Sequence, residues 1–425
     1  MLEDFRGIPW EARFLIYLSF LPGISLGFIY TDLSYFLPNL ALSYLPHDSA
    51  FFWMGIVVGT MAATLVVSSV PLGIVADRYG RRRLLVLGNL LAGVSLMGFA
   101  LTTSIPLLLA AAVLEGVGEA AFAVSFGALV ADRAGDAKRT SAFALVAFLG
   151  WTSGAIGALS ISSVAAIQVL GFDERQAHVA LYVVVALLGL SVTPLMFKVH
   201  EGKVAPAEPR KGFFPKKSKD VLVRFSFYSV TLALGAGLFV PLMTAWFHAA
   251  YGVTDVVSGP VLAGSAVLTS AAILLAPRFA RRIGMVKAIV ASQALATAFM
   301  LLVPSSPTFA IAGAVYSIRV FLMNLSNPLG QSLLMGLVSP DERGAASGVA
   351  ASLWRLPNAL SSFVGAALIG AGLVALPFYI ATVLYVVAIS LFWFMFKNAK
   401  LPEESMRSAQ VLAQSSSLEG PEEPR

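Results

Sequence analysis

Twelve long apolar segments separated by short charged ones constrain this chain more than any other feature of it. They run over about 14–37, 52–76, 84–103, 106–131, 140–166, 177–198, 221–249, 256–277, 285–303, 307–338, 343–372 and 375–396. Each is about long enough to cross ~30 Å of hydrocarbon as a helix rising ~1.5 Å per residue. The charges between them cannot lie in hydrocarbon, where each costs roughly 2.5 to 3.5 kcal/mol even on mild insertion scales. The composition agrees: 58% hydrophobic and 12% charged, against about a quarter charged in soluble domains. The fold class read from this is an all-α, polytopic membrane protein.

Lysine and arginine set the expected orientation. One set of ends holds Arg6 and Arg13, then Arg78, Arg81, Arg82 and Arg83, then Arg133, Lys138 and Arg139. In the second half it holds Arg278, Arg281, Arg282 and Lys287, then Arg343, then Lys397, Lys400 and Arg407, whereas the opposite loops contain only Arg175. Both termini are therefore expected in the cytoplasm of a multi-pass protein of the cell membrane. The net charge of +6 follows this topology, so membrane lipids and no nucleic acid are expected as partners. With no cysteine and four scattered histidines, no disulfide, thiolate nucleophile, metal-ligand spacing or cofactor site is read. The start MLEDFRGIPWEARF carries no cleavable signal peptide by its pattern.

The segment GIVADRYGRRR, Gly73 to Arg83, joins the second and third apolar runs by a very short charged turn. A shift of 200 aligns Asp77-Arg78-Tyr79-Gly80-Arg81-Arg82 with Pro277-Arg278-Phe279-Ala280-Arg281-Arg282. A shift of 204 aligns Lys138-Arg139-Thr140-Ser141-Ala142 with Glu342-Arg343-Gly344-Ala345-Ala346. Two homologous six-helix halves in parallel explain both matches. The domain reading is 1–199 for the first bundle, 200–220 for a basic linker, 221–398 for the second bundle and 399–425 for a Ser- and Glu-rich, disordered tail. Lys211, Lys216, Lys217 and Lys219 in or beside the linker are read as solvated charges or as contacts to anionic lipid.

On these residues the sequence resembles the major facilitator superfamily of secondary transporters. The family's loop pattern Gly-x-x-x-Asp-Arg-x-Gly-Arg-Arg is matched by Gly73, Asp77, Arg78, Gly80, Arg81 and Arg82, and Pro340-Asp341-Glu342-Arg343-Gly344 fits a second loop. The resemblance implies two pseudo-symmetric six-helix bundles, alternating access, a cavity lined by helices one, four, seven and ten, and a loop that latches the halves on the cytoplasmic side. Physical chemistry agrees with that loop: Asp77 can accept backbone N–H bonds at a helix start, and Arg81 can reach Asp132. Gly73 is expected to allow close helix packing, and Gly80 a tight turn. Other family patterns are broken. The proton-coupled fourth-helix motif falls on Ala112, Glu115, Gly116 and Gly118 without its arginine, and the fifth-helix antiporter pattern at Gly154-Ala155-Ile156-Gly157 lacks its proline.

Ionisable residues inside spans are expensive and mark functional candidates. Here they are Asp32, Glu115, Glu119, Arg319 and Arg355, with Asn324 and Asn358 nearby. Glu115 and Glu119 share a helix face, which suits proton coupling or permanent partners. Arg319 lies 204 residues after Glu115 and could pair with it across the halves, hold an anionic substrate or form a fixed bridge. Asp32, with Tyr30, Thr31, Tyr35 and Asn39, reads as a substrate or coupling-ion site near the outer mouth, or as a polar helix end. Arg355 reads as a substrate ligand or as a partner for Asp32 or Glu119, and His248 as interfacial. Pro22, Pro241 and Pro357 are expected to bend helices.

The expected function is a monomeric secondary active transporter of a small solute, proton- or ion-coupled, working by symport or antiport, with no catalytic residues. No phosphate loop occurs, which argues against direct ATP drive. The alternatives from other classes are a non-transporting receptor or scaffold and a membrane-embedded lipid enzyme. The mixed charges leave the substrate open.

Overall fold

The computed structural model describes residues 7–199, 217–339 and 342–398. The readings placed on 200–216, on Pro340 and Asp341 and on the tail from 399 lie outside the described residues. Twelve helices carry the fold. They are α1 (Trp10–Ala41), α2 (His47–Tyr79), α3 (Arg81–Leu101), α4 (Ile105–Gly135), α5 (Ser141–Val169), α6 (Glu174–Met196), α7 (Lys219–Tyr251), α8 (Asp255–Ile283), α9 (Met285–Leu302), α10 (Phe309–Leu337), α11 (Arg343–Gly370) and α12 (Leu376–Phe396). The end carrying Arg78 to Arg83 is termed the basic end and its opposite the far end.

Eleven of the twelve are long and apolar enough to cross a membrane. The exception is α11, whose Arg355, Pro357 and Asn358 lower its hydropathy. It packs between α2 of one half and α7 of the other, so much of its surface faces protein. Several helices outrun the apolar segments that predict them. α2, for example, runs on through Asp77 and Arg78 to Tyr79, because a helix satisfies its own backbone polar groups wherever the bilayer ends.

Glycine sets the turns. Gly80 takes φ 104° and ψ 131° between α2 and α3, and Gly284 takes φ 87° and ψ 152° between α8 and α9. A side chain would be strained at either. These two turns are 204 residues apart, which corrects the 200-residue register suggested by the arginines. The same offset relates the residues that precede α4 and α10, Ser104 and Thr308. Shifted by 204, the π-turn that interrupts α1 at Leu37–Ala41 overlaps the 3-10 turn that interrupts α7 at Val240–Leu242, which contains Pro241. In this register Asp77 corresponds to Arg281, so the second copy reverses the charge of the acid.

Helices α1–α6 pack among themselves, chiefly α3 on α4, α2 on α4, α1 on α4 and α5, and α3 on α6. Helices α7–α12 repeat the arrangement, with α8 on α10, α7 on α11, α9 on α10 and α7 on α12. The halves meet where α2 packs on α11, α5 on α8, and α1 on the last turns of α7. Small residues allow this approach: the ring of Phe363 lies where a Cβ on Gly59 would be, and an added Cβ on Gly259 would stand 2.9 Å from the Ala158 carbonyl oxygen. At Gly73 it would meet only Val124, at an ordinary 3.6 Å. The expectation that Gly73 is needed for close packing is therefore corrected.

Candidate substrate and coupling site

Helical spacing puts Glu115 and Glu119 one turn apart on α4, with Glu119 nearer the basic end. Glu119 joins both halves. Its Oε2 accepts a hydrogen bond from the Tyr30 hydroxyl of α1 at 2.7 Å, and its Oε1 lies 3.4 Å from Nη1 of Arg355 on α11. The Arg355 side chain is 47% exposed and that of Glu119 13%. Tyr30 is exposed as well. These groups lie between the halves, so their exposure marks an open cavity there. Glu115 is buried, with its Oε2 lacking a hydrogen-bond partner among the described residues.

The far end closes that cavity. Thr244 Oγ1 of α7 donates to the Thr31 carbonyl at 2.6 Å, Ser162 Oγ donates to the Val256 carbonyl at 3.3 Å, and His47 Nδ1 lies 3.1 Å from the Gly370 carbonyl oxygen. Between them sits a fully buried cluster. Nε2 of His178 on α6 is 2.8 Å from Asp255 Oδ2 on α8 and 3.6 Å from Asp32 Oδ1 on α1. The cavity therefore opens toward the basic end.

This cluster corrects two expectations. Asp32 does not gather Tyr30, Thr31, Tyr35 and Asn39 around itself. Tyr30 turns to Glu119, Thr31 bonds the Gly27 carbonyl, Tyr35 donates to Glu174 at 2.8 Å, and Asn39 bonds the Tyr35 carbonyl. The histidines, dispersed in sequence, do include one in a cluster of metal-ligating groups. Helix packing creates that proximity, and linear spacing cannot reveal it. Asp255 opens α8, at the very edge of an apolar segment, so nothing in the sequence marks it as buried.

The Glu115–Arg319 pair is not formed among the described residues. Arg319 is buried within its own half, where Nη2 donates to the Tyr385 hydroxyl at 2.7 Å and the guanidinium carbon lies 4.9 Å from the Phe239 ring centroid. Aromatic partners on α7 and α12 take the cation. The amides are also engaged locally: Asn324 bonds the Val320 carbonyl at 2.8 Å, and Asn358 bonds the Ala233 carbonyl at 3.4 Å. His248 packs edge-on against Tyr35, with ring centroids 5.0 Å apart.

At the basic end, Asp77 Oδ1 accepts from Arg81 Nη2 at 2.9 Å and Nε at 3.2 Å, and Arg81 also pairs with Asp132. The described partner of Asp77 is thus a guanidinium, in place of the expected backbone N–H. Arg82 donates to the Phe197 carbonyl at 3.3 Å, and Arg78 lies over the Tyr79 ring at 5.6 Å. These contacts tie α2, α3 and α4 together inside one half.

The sequence profile described as Major Facilitator Superfamily matches residues 23–361. The chain belongs to that superfamily. It is an integral multi-pass membrane protein and a secondary transporter of small molecules, in a family of transporters that are generally not enzymes. Similar solved structures include a point mutant of the nucleoside transporter NupG, with a TM-score of 0.73, 16% identity and coverage of 91% of this chain and 100% of that one. A bacterial homolog of the human lysosomal transporter Spinster, inward-facing and occupied, gives 0.73 at 15% identity, covering 90% and 95%. A D-xylose-proton symporter gives 0.73 at 15% identity, covering 89% and 97%. At these identities the likeness establishes the fold. No curated protein matches the sequence.

Proposed function

We propose that this superfamily member moves a small organic solute with an anionic group by proton-coupled alternating access, with Tyr30, Glu119 and Arg355 at the centre. The supporting observation is the cross-half pair itself, a single carboxylate oxygen 3.4 Å from a guanidinium that is 47% exposed to the cavity. An ion pair this wet and this long is readily exchanged. Protonating Glu119 removes the charge that holds Arg355 and leaves the guanidinium to the anionic group of a solute, with which it can form paired hydrogen bonds. Glu115, buried one turn deeper, serves as a second proton site, and Arg319 adds positive potential to the opposite wall. Each ligand favours the state that it binds better, and so biases the rocking of one half against the other.

In this reading the basic end and both termini face the cytoplasm, the protein works as a monomer among membrane lipids, and the cavity opens inward. The bundles 1–199 and 221–398 move as units about the 200–220 linker, with 399–425 as a tail. Gly73, Asp77, Arg78, Gly80, Arg81, Arg82 and Asp132 keep the α2–α3 hairpin rigid as the basic end closes. Asn324 and Asn358 line the route.

Proteoliposomes enclosing a pH-sensitive dye test this with a panel of carboxylate and phosphate solutes. The expected result is counterflow accompanied by proton movement. Glu119→Gln should keep counterflow but lose gradient-driven accumulation at least tenfold. Undiminished accumulation by both Glu119→Gln and Glu115→Gln, or a solute that binds without counterflow, overturns the proposal.

A further inference from the structure

The buried cluster at the far end lies outside the site just described. His178 fixes its own tautomer: Nδ1 is 2.8 Å from the Glu174 carbonyl oxygen, which can only accept, so Nδ1 carries the hydrogen and Nε2 points at the two acids. A backbone carbonyl holding the distal nitrogen is the usual support of a metal-ligating histidine. Asp32, His178 and Asp255 are each fully buried, and their ligand atoms all lie within 4.8 Å of one another. Two donors ~2.1 Å from one ion stand about 3.0 Å apart at right angles and about 3.4 Å apart in a tetrahedron. The observed separations from Nε2, 2.8 and 3.6 Å, lie within a few tenths of these values.

The buried oxygens and the charge of the cluster suit a metal ion. Both carboxylate oxygens of Asp32, and Oδ1 of Asp255, lack a hydrogen-bond partner among the described residues. A proton shared between Asp32 and Asp255 is the competing arrangement, with an imidazolium at His178 donating to Asp255 Oδ2. One cation between the two acids would take one oxygen from each and Nε2 of His178. Neutral histidine with two carboxylates carries a charge of −2, which a divalent ion cancels. Polar groups near the cluster include the buried Tyr182 hydroxyl, beside Asp32, and, further out, Tyr35 and Glu174, which bond each other. Tyr182 follows His178 by four residues and so shares its helix face.

We propose that Asp32, His178 and Asp255 bind one divalent transition-metal cation of the zinc, manganese or cobalt class, and that this ion clamps the far end shut. One imidazole nitrogen with two carboxylates is a donor set that suits those ions. Asp32 and His178 belong to one half and Asp255 to the other, so the site exists only while the far end is closed. The fold does not require a buried charge at this corner. In the 204-residue register Asp255 corresponds to Phe51 on α2, a buried apolar residue.

Purified full-length protein, stripped with a chelator, is titrated with cobalt chloride by visible absorption and with zinc and manganese chlorides by calorimetry. One equivalent is expected to bind with a cobalt band, weakened at least tenfold by His178→Gln and by Asp255→Asn and unchanged by Glu119→Gln. Absence of stoichiometric binding to the unmutated protein overturns the site whatever the variants do, as does binding that neither variant weakens. The chain has no cysteine, so spin labels at Phe172→Cys and Ser305→Cys report the far end without removal of native thiols. Zinc should narrow their distance distribution to its short component and chelator should broaden it. A distribution that follows pH but ignores zinc and cobalt overturns the metal in favour of a proton. The binding result is independent of solute transport, so it fails or holds separately from the coupling role of Glu119.

Discussion

Among the described residues, two side-chain contacts between the halves differ sharply in exposure. Arg355 meets Glu119 at 3.4 Å with nearly half its side chain exposed, whereas His178 meets Asp255 at 2.8 Å with neither side chain exposed. An exposed pair contributes about 0–1 kcal/mol, because solvent competes for both partners. Removing one member of a buried pair costs about 3–5 kcal/mol, because the survivor cannot return to water. The wet contact suits exchange of partners during a cycle, and the dry one suits holding a state. The α1 members of the two clusters, Tyr30 and Asp32, are two residues apart, about 3 Å along the helix axis.

The contrast can be broken at several points. Asp255→Ala should have the largest effect on stability, lowering that of the closed far end by about 3–5 kcal/mol, seen as a fall in the thermal midpoint in detergent and a wider Phe172–Ser305 label distance. Next, Tyr385→Phe removes the hydroxyl that Arg319 donates to and should cost about 1.5–3 kcal/mol, with no change in that label distance, since the contact lies inside one half. Glu119→Gln should cost no more than about 1 kcal/mol in stability while abolishing gradient-driven accumulation. Raising salt toward 1 M shortens screening to about 3 Å and should lower solute affinity at Arg355 but leave the far-end distance unchanged. The smallest effect is expected at Asp132→Asn, about 0–1 kcal/mol, because that carboxylate is 59% exposed. A larger loss in transport than in stability for Asp132→Asn would show that the basic-end cluster does more than brace a hairpin.

The helices were legible in the sequence because hydrocarbon tolerates so little else, and the charged turn at Gly73 to Arg83 carried the family. Arg81 also reaches Asp132, since a short turn leaves a long cation few acids to meet. Register was harder to read. Arginines on a solvated helix end tolerate displacement by a turn, so they suggested 200, whereas the glycine turns at Gly80 and Gly284 admit no displacement and give 204. His178 and Asp255 were hidden for another reason: they lie 77 residues apart, on helices in different halves, and only packing brings them together. Arg319 was conspicuous, but the sequence left its partner open. A carboxylate across the cavity is an obvious match for a guanidinium, yet an adjacent phenol and the face of Phe239 lie within its own half.

That arrangement at Arg319 has a consequence for biogenesis. Tyr385 follows it by 66 residues, which at about 5–20 residues per second is roughly 3–13 s of synthesis. For that interval α10 has emerged with a cation and no α12 to receive it. The helix must wait at the insertion machinery, or beside α7, until the last span arrives. The final helix is therefore a chaperone in cis for the tenth, and a chain truncated before Tyr385 should be a poor candidate for stable insertion of α10.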